Sequence, residues 1–289
     1  IPAGPTFRRK PKVIISVFGK FHAPKLAVQM ERFGLLKKVH IAYHKPLGGL
    51  HPSKVRRYFP LYEIRAVIRK LTGYDPIYTF ARLYDHLVAH KLKDEIGEGD
   101  IFYGWSGYCL ESLKVAKEKG AITFVERSCP HVNFQEELLK EEAQRLSLPI
   151  PSSLRLKEVM LREYEEADFI VVPSSYSFDS FVQQGVKASK LVKISLGADT
   201  VNLIERPHNA KLFQVLFVGG DPLRKGIYYL LKAWNELKLK NARLVVRGPV
   251  PPEFGKFVLN PSVVIIKKRL SSRELLDLYA KSSVFCLPS

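Results

Sequence analysis

Acidic residues are scarce in this chain. Its 289 residues carry 28 Asp and Glu against 46 Lys and Arg, a formal charge of +18. A surplus of that size predicts attraction to something anionic; nucleic acid, anionic lipid headgroups and phosphorylated substrates all qualify. Cysteine is scarcer still. Cys109, Cys129 and Cys286 form no CxxC pair and have no histidine at metal-ligand spacing. An odd, sparse set of thiols argues against a disulfide framework and fits a reducing compartment. No apolar run reaches the roughly 18 residues that a bilayer-spanning helix needs, and no signal-peptide pattern appears. There is no short-period repeat and no low-complexity tract. What is present is globular in character: 46% hydrophobic and 26% charged residues, in a length that suits two domains of ordinary size.

Short apolar runs alternate with helical spacing along the whole chain. Val13 to Val17 reads as a first strand, followed by a helix with Pro24 in its first turn and Gly34 just past its end. A second strand is expected at His40 to Tyr43. Pro46, Gly48, Gly49 and Pro52 mark a loop. Pro60 to Lys93 is helical with a break around Gly73 to Pro76. Strands at 101–103, 121–125, 168–172 and 191–194 then alternate with helices at 110–119, 134–146, 154–167 and 178–184, with Pro149 and Pro151 separating the two middle helices. Residues 198–212 read as an interdomain linker. After it the alternation restarts, with strands at 214–218, 244–246, 263–266 and 284–287 and helices at 227–239 and from Ser271, where Glu274 completes a capping box. This pattern predicts an α/β chain of parallel sheets covered by helices on both faces, with domains at 1–197 and 213–289.

The most informative turn joins the strand at 214–218 to the helix at Ile227. It reads FVGGDPLRKG and holds Gly219, Gly220, Arg224, Lys225 and Gly226. A glycine turn entering a helix directs backbone N–H groups and the positive end of the helix dipole at an anion. The two cations add full charge, so a phosphorylated ligand is expected here. The glycine spacing fits neither G-x-x-x-x-G-K-[ST] nor G-x-G-x-x-G, which argues against a P-loop or a standard dinucleotide site. Read from its residues alone, the same turn is equally an ordinary surface turn with two solvated cations.

These pieces, in order, resemble glycosyltransferase family 4, enzymes of GT-B fold. FVGGDPLRKGIYYLLKAW is similar to the first strand, loop and helix of that family's C-terminal domain, and LVVRGP to its next strand and turn. RELLDLYAKSSVFCLPS resembles the segment that precedes the family's E-x7-E motif. VVPSSYSFDSFVQQGV and VKISLGADT resemble the end of the N-terminal domain, and FYGWSG and ERSCPHVNFQEE a stretch found in one bacterial subgroup. The resemblance implies two Rossmann-like parallel-sheet domains facing a cleft, the second incomplete. The E-x7-E carboxylates would lie beyond Ser289, and Ile1 and Ser289 read as cut ends of a longer enzyme.

The resemblance further implies a retaining transfer of sugar from a nucleotide-diphosphate-sugar to a glycan or lipid-linked acceptor, with no cofactor and no metal. Lys225 falls on the family's phosphate-binding lysine. The usual arginine position is occupied by Gly220, and Arg224 stands in as the second cation, beside Gly219. Gly19, after the first strand, matches the glycine loop near the donor phosphates. His131 falls where the family carries a functional histidine, and Glu126 and Arg127 at the preceding strand end compete for that role. Trp105 is read as core.

Residues 51–93 carry nine Lys and Arg against three carboxylates, interleaved with seven Tyr and Phe. That mixture suits docking on an anionic membrane surface, giving a cytoplasmic protein held peripherally on the inner face. Two other functions fit the charge: a basic nucleic-acid-binding protein, disfavoured by the lack of any helix-turn-helix, RRM-like or zinc signature, and a GT-B-like scaffold without catalysis.

Overall fold

The computed structural model describes residues 10–19, 21–44, 47–148, 156–197 and 212–289. Most of the expected linker, at 198–211, and both Pro149 and Pro151 lie outside the described residues. The chain divides into two units, Ile1–Glu136 with Pro151–Leu196, and Glu137–Ile150 with Gly197–Ser289.

The first unit runs β1 (Val13–Val17), α1 (Ala23–Arg32), β2 (Leu36–Ile41), β3 (Val55–Arg57), α2 (Leu61–Thr72), α3 (Ile77–Glu95), β4 (Ile101–Trp105), α4 (Leu110–Glu118), β5 (Ile122–Glu126), α5 (Val132–Arg145), α6 (Lys157–Glu166), β6 (Phe169–Val172), α7 (Ser175–Gln183) and β7 (Leu191–Lys193). The residues of α5 from Glu137 onward group with the second unit. The seven strands form one parallel sheet in the order β3-β2-β1-β4-β5-β6-β7. Successive side chains of β1 enter opposite cores. Ile14 joins Phe102, Val125 and Ile170 under α3, α4 and α6, whereas Val13, Ile15 and Val17 join Val39 and Ile41 under α1. Burial on both faces explains why these strands read as unbroken apolar runs.

Three differences from the sequence reading have local causes. The second strand is Leu36–Ile41, earlier than expected, because Lys37 and Lys38 interrupt the apolar run yet reach out of the sheet; Lys37 Nζ donates to buried Asp100 at 2.9 Å. The edge strand β3 was not anticipated, since its sequence is only Val55-Arg56-Arg57. Helix α7 begins three residues early because Ser174 caps it, its hydroxyl accepting from the Ser177 N–H at 3.2 Å.

The second unit contains β8 (Phe213–Val218), α8 (Ile227–Leu237), β9 (Ala242–Arg247), α9 (Gly255–Val258), β10 (Val263–Ile266), α10 (Ser272–Ala280) and β11 (Val284–Phe285). Its four strands are parallel, in the order β10-β9-β8-β11. The stripe Ile227, Leu230, Leu231 and Trp234 of α8 closes over Phe217, Leu244 and Val246. The capping box of α10 is formed, with Ser271 and Glu274 bonded in both directions.

Each sheet reverses its winding once. In the first unit the chain builds outward from β1 through β2 to β3, then returns to place β4 on the other side of β1. In the second it builds from β8 through β9 to β10, then places β11 beside β8. Open α/β sheets bind ligands outside the strand carboxyl ends at such a reversal. The rule selects the turns after β1 and β8, which hold Gly19 and the Gly219–Gly226 stretch. Among the described residues, no helix is long and apolar enough to cross a membrane.

Candidate functional site

The turn after β8 is built by close backbone approach. Gly219 N donates to Arg247 O at 3.0 Å, tying the turn to the end of β9. A Cβ on Gly248 would lie 1.9 Å from Gly219 O, so no side chain fits there. Gly226 has φ of +65° and opens α8, and a Cβ on it would lie 2.0 Å from Pro288 O. Pro288, three residues past the end of β11, therefore closes directly on the turn. Lys225 lies half-buried at the turn's end, its Nζ 3.5 Å from Ser289 Oγ, and Ser289 Oγ in turn donates to Arg224 O at 3.2 Å.

Most of the backbone donors expected to face an anion are used inside the turn. Arg224 N donates to Asp221 Oδ1, Lys225 N to Asp221 O, Gly226 N to Leu223 O and Ile227 N to Pro222 O. The Arg224 guanidinium is bonded to the Asp221 carboxylate at 3.2 Å, with 38% of its side chain exposed. Two cations and one carboxylate leave this turn a net charge of +1. Gly220 is exposed, with open space where a Cβ would be. Beside the turn, Arg247, Gly248, Pro249, Val250, Ile265 and Lys267 line a cavity of about 510 Å³ at the carboxyl ends of β9 and β10.

A second cluster forms in the first unit. Glu126 ends β5 with a side chain only 5% exposed. Its carboxylate accepts from Tyr103 Oη at 2.7 Å and Ser128 Oγ at 3.1 Å, and lies 2.9 Å from His22 Nε2. Trp105, buried as expected, packs edge-on against the His22 ring at 5.3 Å. Burial, reinforced by the Glu126 charge, pushes the Tyr103 hydroxyl far above its ordinary range, so it stays a donor. Gly19 sits at the rim; a Cβ there would meet the Phe21 ring at 2.8 Å.

His131 and Arg127 serve other contacts. The His131 N–H donates to Ser180 Oγ at 2.9 Å, and its Nδ1 accepts from the Asn133 N–H at the start of α5. Its ring packs on Tyr164 and Phe181. Burial first, then the charges of Arg127 and Lys157, lower its pKa to about 4, which keeps it neutral near pH 7. The Arg127 guanidinium donates to Gln135 Oε1 at 2.7 Å and to Pro130 O at 3.3 Å, pinning the loop between β5 and α5. The structure thus brings Glu126 together with His22, which the sequence reading passed over, and gives His131 a separate set of partners. The two residues of the His22–Glu126 pair stand 104 positions apart, and a lone histidine after a strand carries no spacing signal. Among the described residues no group of three His, Cys, Asp or Glu could hold a metal ion.

Residues 213–289 match the family Glycosyl transferases group 1. No curated protein matches the sequence. Solved structures of similar fold include Anabaena HepE in complex with UDP and glucose, at 14% identity over 96% of this chain and 74% of that one, with a TM-score of 0.60. They also include the lipopolysaccharide outer core galactosyltransferase WaaB, at 12% identity over 96% and 74%, with a TM-score of 0.57. The trehalose-6-phosphate synthase OtsA is similar at 10% identity over 96% and 78%, with a TM-score of 0.55. With the switch-point turns in place and the family match running from β8 to Ser289, this chain has the GT-B fold, and its residues 213–289 match the group 1 glycosyltransferases.

Proposed function

We propose that the protein transfers a sugar from a nucleotide-diphosphate-sugar to a glycan or lipid-linked acceptor, with retention at the anomeric carbon. The observation that carries the reading is the turn Gly219–Gly226, which places Lys225 and Arg224 at the reversal point of a sheet that matches the family. When the bond to the sugar breaks, negative charge develops on the leaving diphosphate. A cation already fixed beside it stabilises that charge at no cost of reorganisation. Lys225 is assigned to the diphosphate. Arg224 contributes by releasing Asp221 or by sharing it. The cavity beside the turn is of a size that suits a nucleoside, and HepE, of similar fold, holds UDP and glucose.

The acceptor side is proposed to meet an anionic membrane surface through α2. Five of the nine cations in 51–93 are tied into ion pairs, Lys54 with Glu31, Arg56 with Glu95, Arg65 and Arg69 with Asp75, and Arg82 with Glu111. Tyr84 belongs to the core. An apolar stripe, Ile64, Val67 and Leu71, faces outward, with Phe59, Tyr74 and Tyr78 near it and the exposed side chains of Lys70 and of Asp75-paired Arg69 beside it.

The test is a thermal-shift panel of UDP-, GDP- and ADP-glucose on the full chain, because a ligand that favours the native state raises its melting point. One of the three is expected to stabilise the wild type. Lys225→Ala is expected to abolish that shift and to lower turnover about 10²–10³-fold while the protein still folds. Salt-sensitive oligonucleotide binding without any nucleotide-sugar shift would overturn the proposal.

A further inference from the structure

The cavity beside the Gly219 turn belongs wholly to the second unit, and its wall chemistry is one-sided. Pro249, Pro251 and Pro252, with Val250 and Ile265, supply apolar surface. The charged side chains are Arg247, at the end of β9, and Lys267, directly after β10. Arg247 pairs with Ile266 in the parallel ladder, so the two cations leave neighbouring strand ends one step apart in register. Among the described residues, no carboxylate, amide or hydroxyl side chain lines this cavity, and neither cation has a side-chain partner. Cations close by in sequence do have one: Arg243 is bonded to Gln214, Lys268 to Glu274 and Arg224 to Asp221. The backbone leans the same way, because Pro251 O and Pro252 O are already taken by the N–H groups of Phe254 and Gly255. A ligand edge in this cavity therefore meets side chains that donate hydrogen bonds and cannot accept them.

We infer that the cavity selects a nucleoside diphosphate whose base presents a keto oxygen, uracil or guanine, and that Arg247 and Lys267 are the residues that read it. This rests on the glycosyl-transfer reading above. Uracil offers O4 as an acceptor. Guanine offers O6 with N7 beside it, a pair that suits the guanidinium fork. Adenine and cytosine carry an amino group, a donor, at the corresponding position.

Donor would then face donor against a wall of prolines. Both groups lose water there, and neither gains a partner. A site built to bond one group rejects an analogue that leaves its polar side chains unpaired, which makes the discrimination larger than shape alone would give. The diphosphate drops out of the comparison. It is the same in all four nucleotides, and it is assigned to Lys225 and Arg224 on the turn after β8, so it scales every affinity alike.

The experiment is isothermal titration calorimetry of the full chain with UDP, GDP, ADP and CDP at one ionic strength. The tighter of UDP and GDP is expected to bind at least about tenfold more tightly than ADP or CDP. Their order separates the two bases: GDP ahead of UDP marks use of both guanine acceptors, and UDP ahead marks a single keto contact. Arg247→Gln combined with Lys267→Gln exchanges pure donors for amides, which pair with adenine at N6 and N7. In that double variant the preference over ADP is expected to fall below about threefold, with the melting temperature little changed, since both side chains stand at strand ends without partners. Lys225→Ala, in contrast, should weaken all four nucleotides by a common factor. ADP or CDP binding as tightly as the better keto nucleotide, or a folded double variant with the wild-type ratio, would overturn this inference alone. Failure of all four to bind the wild type would overturn the glycosyl-transfer reading and this inference with it.

Discussion

Glu163 is a carboxyl whose charge the fold resists, and replacing it with glutamine isolates the size of that resistance. The side chain is fully buried on α6, with its two oxygens accepting from Gly107 N and Cys109 N at the start of α4. Burial raises its pKa from 4.5 to about 7, with the nearby Asp85 adding to the rise and the two N–H bonds opposing it. The folded state thus holds its proton more tightly than the unfolded chain does. The stability this confers is fully present below pH 4.5 and is lost as the pH climbs through about 7. At about 1.4 kcal/mol per pH unit, the span corresponds to roughly 3 kcal/mol. Glutamine, like the protonated acid, carries no charge. The stability of Glu163→Gln relative to wild type should therefore improve by about 3 kcal/mol between pH 4.5 and pH 8, whatever its value at the acid end. The other titrating groups, His131 among them, are common to both proteins and cancel. The assay is urea unfolding at the two pH values. There are two tryptophans, Trp105 and Trp234, one in each unit, so on a Trp234→Phe background the emission of Trp105 reports the first unit alone. A difference between the two proteins that stays flat across that pH range would refute the reasoning.

Two further outcomes are expected. Gly226→Ala forces a methyl group against Pro288 O from a left-handed backbone; it should destabilise the second unit by about 2 kcal/mol or more, read from Trp234 emission during thermal unfolding. Val67→Glu with Leu71→Glu places two carboxylates on the exposed stripe of α2; the pair should abolish sedimentation with phosphatidylglycerol vesicles while leaving the thermal shift with nucleotide-sugar unchanged. Retained vesicle binding would remove α2 from the membrane reading.

What could be read from the sequence was whatever repeats locally. The β1 strand, the stop of α2 at Gly73 and the capping box of α10 each depend on neighbours within a few residues, and each formed as expected. Short edge strands such as β3 have too few residues to show a period, and capping serines such as Ser174 look like loop residues until their hydrogen bond is seen. The candidate site divides in the same way. Gly219, Arg224 and Lys225 lie within one turn and were visible as a group. The His22–Glu126 pair depends on the order β1-β4-β5, which sets the ends of strands distant in sequence side by side. The occupancy of the backbone donors in the 221–227 turn also depends on a conformation that composition does not specify.

The outer strands show a second use for the positive surplus. Edge strand β3 carries Arg56 and Arg57, β7 ends in exposed Lys193, and β10 runs directly into exposed Lys267, Lys268 and Arg269. An unpaired strand edge is a template for pairing with a neighbouring molecule, and lysine or arginine along it opposes that approach. The repulsion between two such borders reaches about 10 Å at 0.1 M salt and about 3 Å at 1 M. The colloidal behaviour of the protein is thereby coupled to ionic strength: dilute buffer keeps copies apart at their sheet margins, and concentrated salt weakens that guard.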